Sequence, residues 1–203
     1  MKDGLSLSDS LIKTPGRIKP RKTLFLMVEG VSEEVYFNRI ARLSETYSLS
    51  IKVSKDKDCM GIINNCARES KRIGLEEGDL KAAVFDLDVV DRKTLQEAKK
   101  KAEKENILLL TTNLSFEFWL LLHLEENPRV YNQDEYEELL SQHLGYRYKK
   151  SKGIKDKVNL ETIGAAVTRA KKILKDSDPL ACKKMQNSTN LWKIVAMILD
   201  LGE

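Results

Sequence analysis

The sequence predicts an α/β fold: a parallel sheet of about four strands flanked by helices, followed by a mainly helical C-terminal extension. Three observations predict it. Short apolar runs closed by acidic residues recur, as in Leu24-Phe25-Leu26-Met27-Val28 before Glu29-Gly30 and Ala82-Ala83-Val84-Phe85 before Asp86. Such runs fit strands buried on both faces. Segments of helical apolar spacing separate them, and this alternation argues for parallel pairing through helical crossovers. With 41% hydrophobic residues in a chain of 203, there is enough apolar surface for a packed core.

Residues 1–21 contain Pro15, Gly16 and Pro20 without apolar periodicity, and read as a flexible basic arm. A first unit spans 22–124. Its first strand runs from Thr23, and Ser32 is placed to cap a helix bearing Val35, Tyr36, Phe37, Ile40 and Leu43. Residues 49–53 form a second strand and 60–73 a second helix. The third strand is 82–85, a charged surface helix covers 95–105, and the fourth strand is 107–110. FEFWLLLHL, at 116–124, is apolar on nearly every helical face, so its helix should be buried. The extension, 125–203, packs on this unit. It holds an amphipathic helix at 134–143, a basic segment at 144–158, and a helix starting at Asn159 with Leu160, Ile163, Val167, Ala170 and Leu174 at helical spacing. A final helix, capped by Ser188 or Thr189, carries Leu191, Trp192, Val195 and Leu199.

The net charge of +4 is a sum of unlike parts: +4 in residues 1–22, −7 in 23–140 and +7 in 141–203. An acidic body between basic ends suits a protein that grips a polyanion at its edges and keeps carboxylates centrally. Uneven surface charge on an ordinary α/β protein gives the same sums. No apolar run approaches the roughly 18 residues of a membrane helix, and the N-terminus lacks the apolar core of a secretory signal. Cys59, Cys66 and Cys182 form neither an even framework nor a C-x-x-C pair. A cytoplasmic protein with reduced thiols and no membrane contact is the expectation.

In an open parallel sheet the ligand site lies beyond the carboxyl ends of the strands. Three strands deliver acids there: Glu29 after the first, Asp86 and Asp88 after the third, and Glu117 shortly after the fourth. Carboxylates gathered in one place repel, so a shared cation is expected. Oxygen ligands without a His or Cys cluster point to Mg²⁺ or Mn²⁺, ions that neutralise phosphate charge and activate water. Gly30 lets the backbone turn sharply after Glu29. Glu33, in the first turn of a helix, is favoured there by the helix dipole alone. Asp86-Leu87-Asp88 resembles the D-x-D-x-T of haloacid-dehalogenase-like phosphatases, but Val90 stands in the fifth position. Glu117, between Phe116 and Phe118-Trp119, is the most telling acid, because an unpaired carboxylate in an apolar helix is costly to bury. His123 lies about 240° around the helix from it, a position for core packing. Tyr146 and Tyr148 among Arg147, Lys149, Lys150 and Lys152 fit backbone tracking with stacking on bases.

On these residues the chain resembles the TOPRIM domain, and more closely the RloB-like family of prokaryotic defence-associated proteins. The resemblance is carried by VEGVSEEVYF (28–37), VFDLD (84–88) and TTNLSFEFWLLLH (111–123). The TOPRIM glutamate matches Glu29, with Glu33 four residues on as in OLD-type nucleases. Their DxD matches Asp86 and Asp88, and their serine-x-glutamate matches Ser115 and Glu117. RloB-like sequences usually have Asn-Pro-Cys/Ser-Phe-Glu where this chain has Asn113-Leu114-Ser115-Phe116-Glu117, so the proline is missing. Tyr148-Lys149-Lys150 and Ser188-Thr189-Asn190 also look like the family's C-terminal half. In all, about residues 22–200 are covered.

The resemblance implies a TOPRIM, Rossmann-like sheet and an Mg²⁺- or Mn²⁺-dependent nuclease hydrolysing phosphodiester bonds of DNA or RNA in phage defence or abortive infection. It makes Glu29, Asp86, Asp88 and Glu117 catalytic and, together with Glu33, metal-binding, with Gly30 and Ser115 in support. Glu29 acting as general base or acid is left open. Arg147, Lys149, Lys150, Lys152 and Lys193 would contact nucleic acid. RloB-like proteins are often associated with an ABC- or AAA-type ATPase, which would be a separate chain because no P-loop occurs here. Trp192 and the apolar C-terminal helix offer a face for a homodimer. Two other classes are compatible with the same residues: a non-catalytic subunit binding nucleic acid or an ATPase, and a small-molecule phosphotransferase.

Overall fold

Burial on both faces organises the sheet. A computed structural model describes residues 21–126, 128–130, 132–154 and 157–201; the expected arm at 1–21 therefore lies, except for its last residue, outside the described residues. In chain order the elements are β1 (Lys22–Val28), α1 (Val31–Ala41), β2 (Tyr47–Val53), α2 (Cys59–Arg72), β3 (Leu80–Asp86), α3 (Arg92–Lys104) and β4 (Leu108–Asn113). Then follow α4 (Glu117–Leu121), α5 (Gln133–Leu144), α6 (Leu160–Ile173), α7 (Pro179–Lys184), β5 (Ser188–Thr189) and α8 (Leu191–Leu199). The sheet order is β2-β1-β3-β4-β5, parallel except for β5, which pairs antiparallel with the end of β4. The fold is thus the expected α/β sheet with a helical C-terminal region, plus one short strand.

Period-two alternation divides β1 and β3 between two cores. Leu24, Leu26 and Val28, with Ala82 and Val84, face a cluster shared with α1, α4, α5, α6 and α8. Phe25 and Met27, with Ala83 and Phe85, face the opposite cluster against α2, α3 and α7. That two-sided burial is why both strands read as unbroken apolar runs. The FEFWLLLHL segment is buried as expected, though its α-helix covers only Glu117–Leu121. Phe116, Tyr36 and Trp119 meet there edge-on, with Tyr36 centred 5.6 Å from Phe116 and 6.0 Å from Trp119. His123 is a core residue: its ring contacts Tyr36 Oη at 3.2 Å and the Trp119 carbonyl at 3.0 Å, and burial lowers its pKa to about 4.

The end of the chain departs from expectation. Ser188 and Thr189 form β5 rather than the cap of the last helix, although Thr189 Oγ1 accepts the Leu191 N–H at 3.2 Å. Asn190 occupies the cap position and makes no cap hydrogen bond. Its side chain instead completes the open edge of β4, accepting from the Thr111 N–H at 2.7 Å and donating to the Leu109 carbonyl at 3.0 Å and the Ser177 carbonyl at 2.8 Å. One amide thus does the work of an absent strand. Asn190→Ala should lower stability by about 2–4 kcal/mol, since backbone groups are left unpaired in a buried place; urea unfolding of both proteins measures it.

Candidate functional site

The site is built at the carboxyl ends of β1 and β3, where the strand order reverses direction, the place at which open α/β sheets bind ligands. Glu29 leaves β1 with its N–H on the Val84 carbonyl at 3.0 Å, and its Oε2 accepts the Asp86 N–H at 3.0 Å. The first carboxylate is therefore fixed directly against the residue carrying the second. Burial raises the Glu29 pKa and Asp88 adds to this, while the Asp86 N–H, Lys57 and Lys150 oppose it.

The turn after Glu29 differs from expectation. Gly30 has φ −142°, extended backbone open to any residue. A Cβ at this position would lie 3.1 Å from Glu33 Oε2, so a larger residue would have to displace that carboxylate slightly. Ser32 does not cap α1, whose cap position is Gly30 without a side-chain bond. The Ser32 hydroxyl instead donates to Glu117 Oε1 at 2.9 Å. Glu33 is only 4% exposed; its pKa is pushed up to about 7, by burial first and then by Glu117 and Glu29.

Glu117 is the hub. It is 2% exposed, as its apolar surroundings predict, and it has the partners that such burial demands. Besides Ser32, it accepts from Ser115 Oγ at 3.0 Å and Tyr148 Oη at 3.1 Å, and Lys150 Nζ stands 3.7 Å away. Asp86 ends β3 with part of its surface open to solvent, yet its pKa is raised well above the ordinary value by surrounding protein and then by Glu33, Glu29, Glu117 and Asp88. Asp88 is exposed and accepts the N–H of Val89 at 2.7 Å.

Asp86 thus lies within electrostatic reach of the other four acids, which come from three strand ends. They share a neighbourhood without being drawn around a single point: among the described residues, no three His, Cys, Asp or Glu side chains are placed to hold a metal ion. Their all-oxygen chemistry fits Mg²⁺ or Mn²⁺. Closing them on an ion requires side-chain movement, above all of Glu117, whose oxygens are engaged by three hydroxyls.

Of the basic residues, Lys150 reaches the acids, and Arg147, Lys149 and Lys152 are exposed on the same segment. Lys193 does not join them. Its Nζ lies 3.4 Å from Ser177 Oγ, beside a cavity lined by Leu108, Leu109 and Leu110 towards the other end of β4. Tyr148 is 2% exposed and faces Glu117, so it is not presented for base stacking, whereas Tyr146 is 45% exposed. Pattern reading missed Ser32 and Tyr148 as partners of Glu117, and also two lysines at the strand ends. Lys57 donates to the Glu29 carbonyl, and Lys183 to the Leu87 carbonyl between the two aspartates. Lys57 follows a strand at the sheet's carboxyl edge, a signal that was available. Lys183 had none.

Fold and site together define an α/β protein with an acidic centre at the switch point of a parallel sheet. The model of the RloB-like protein family matches residues 24–198, and the chain belongs to that family. No curated protein and no solved structure matches it. Among the described residues no helix is long and apolar enough to cross a membrane.

Two outcomes follow from the geometry. The folded Glu33 holds its proton up to about pH 7, against an ordinary value of 4.5. The folded state therefore binds the extra proton, and stability is lost as pH rises through this window. Glu33→Gln should match wild type near pH 4 and exceed it at pH 8, by on the order of 1–3 kcal/mol, read from melting curves across pH. Tyr148→Phe keeps the ring but removes one hydrogen bond to a buried carboxylate, and should cost about 1–3 kcal/mol in chemical denaturation.

Proposed function

We propose that this protein is a metal-dependent nuclease that hydrolyses phosphodiester bonds in DNA or RNA. The observation carrying this reading is the meeting of Glu29, Asp86, Asp88 and Glu117 at the sheet's switch point, with Lys150 entering from the C-terminal segment. Two or more mutually repelling acids with raised proton affinity are poorly placed without a cation, which is a reason to keep them together only if a cation or a proton is used. Glu29, Glu33, Asp86, Asp88 and Glu117 would supply the ligands. Bound Mg²⁺ or Mn²⁺ would neutralise phosphate charge and make a water more acidic.

The chain's own groups then have separable tasks. Lys150 neutralises a phosphate oxygen as it approaches Glu117. Ser32, Ser115 and Tyr148 hold the Glu117 carboxylate in one orientation. Glu33, which changes charge near pH 7, can hold or release a proton within electrostatic reach of Glu29. Arg147, Lys149 and Lys152 hold the strand outside the centre. Action in phage defence, with a separate ATPase chain, extends the reading to the family's context.

A second reading is a non-catalytic subunit that binds nucleic acid or an ATPase. It is favoured by the lack, among the described residues, of three acids already placed around an ion. One experiment separates the two. DNA, tRNA and other RNA are incubated with Mg²⁺ or Mn²⁺ and either wild type or the Asp86→Ala/Asp88→Ala variant. Nuclease action predicts cleavage by wild type and a drop of about 100-fold or more in the variant, the scale of lost electrostatic catalysis. Equal cutting by both proteins contradicts it, and salt-sensitive binding without cleavage in any metal selects the second reading.

A further inference from the structure

Resting on the reading of the site as one for nucleic acid, we infer that Lys57 and Lys183 are phosphate-binding residues. They flank the acidic centre and set the path of the strand across the carboxyl edge of the sheet. The path runs from the β2 side, over Glu29 and Asp86, to the β4 side.

Both ammonium groups are held by backbone. Lys57 donates to the carbonyl of Glu29, and Lys183 to the carbonyl of Leu87, between Asp86 and Asp88. Among the described residues neither forms an ion pair with a carboxylate, unlike Lys52, Lys71, Lys99, Lys150 and Lys172. An ammonium has three donors, so each keeps two for an incoming oxygen. Lys57 acts on Glu29 through space, but among the described residues neither lysine is tied into an ion pair where a polyanion would approach the acids.

Each lysine is also presented by a fixed support. The loop carrying Lys57 is pinned on both sides: the Asn65 amide donates to Ser54 Oγ and Asp56 Oδ2, both at 2.9 Å, and Asp58 caps α2 through the Gly61 N–H at 2.8 Å. Gly61 makes room for that fold, since a Cβ would lie 2.5 Å from Asp56 Cβ. Lys183 sits on α7, which Asn113 at the end of β4 grips by donating to the carbonyls of Cys182 at 3.2 Å, Lys183 at 3.2 Å and Met185 at 3.1 Å. Asp178 starts α7 and pairs with Lys99. A cation held in place loses little freedom when it meets its ligand, which favours a binding role over a solvated surface charge. The two supports stand on opposite flanks of adjacent strands β1 and β3, so a strand touching both passes over the acids between them.

The test is the salt dependence of binding. Fluorescence anisotropy of labelled oligo(dT) and oligo(U) is measured in Ca²⁺ across a KCl series, with strand integrity checked on gels. Wild type is compared with Lys57→Ala, Lys183→Ala, the double variant, and Lys71→Ala, which is remote on α2. The slope of log affinity against log salt should fall by roughly 0.7 for each lysine removed, the single-strand value per phosphate contact, and affinity several-fold. Lys71→Ala should leave both unchanged. Lys57→Arg and Lys183→Arg should retain binding, which separates lost charge from lost packing. Wild-type slope and affinity in the double variant would overturn this path while leaving the nucleic-acid reading standing. If wild type binds neither probe, both fall.

Discussion

The buried Glu117 carboxylate is the constraint on which the rest of the site depends. A charged group at 2% exposure in an apolar helix has to be matched by donors. Those donors come from three separate parts of the chain: Ser32 in the first turn of α1, Ser115 before α4, and Tyr148 in the C-terminal segment. Satisfying one acid therefore ties the start of the sheet, its fourth strand and the C-terminal region together. It also brings Lys150 beside the acids, because Tyr148 is buried two residues away.

Around that hub the charges are layered. Burial first, and neighbouring carboxylates second, raise the proton affinity of Glu29, Glu33 and Asp86. Lys57, Lys150 and Lys183 stand around them, two on backbone carbonyls and one on Glu117. An anionic centre within a cationic rim admits a polyanion only when something neutralises the centre. Under the proposed function, this is the physical link between a bound cation and a phosphate substrate.

Much of this was legible in the sequence for reasons specific to each element. β1 and β3 are buried on both faces, so their apolar runs needed no partner to be recognised. Glu29, Asp86 and Asp88 end those strands, and parallel topology brings strand ends together. Glu117 stood out because its neighbours are apolar. What was not legible depends on contacts distant in sequence. Ser32 follows a strand and precedes a helix, so it reads as a cap; its actual partner is 85 positions away. Tyr148, between Arg147 and Lys149, reads as an exposed aromatic, and only packing reveals that it is buried. β5 has two residues, too few for a pattern, and the Asn190 side chain closes the β4 edge beside it. Gly30 reads as a sharp turn, but its backbone is extended, and a Cβ there would only crowd the tip of the Glu33 side chain.

The most direct measurement is a crystal structure of the protein soaked in Mn²⁺, with the anomalous signal used to locate the ion. An ion bound between Glu29, Asp86 and Glu117, with the Glu117 carboxylate turned from at least one of its hydroxyl partners, is the predicted result. Acids left in their present positions with no anomalous peak among them at saturating Mn²⁺ would contradict the assignment of this cluster as a cation-dependent catalytic centre.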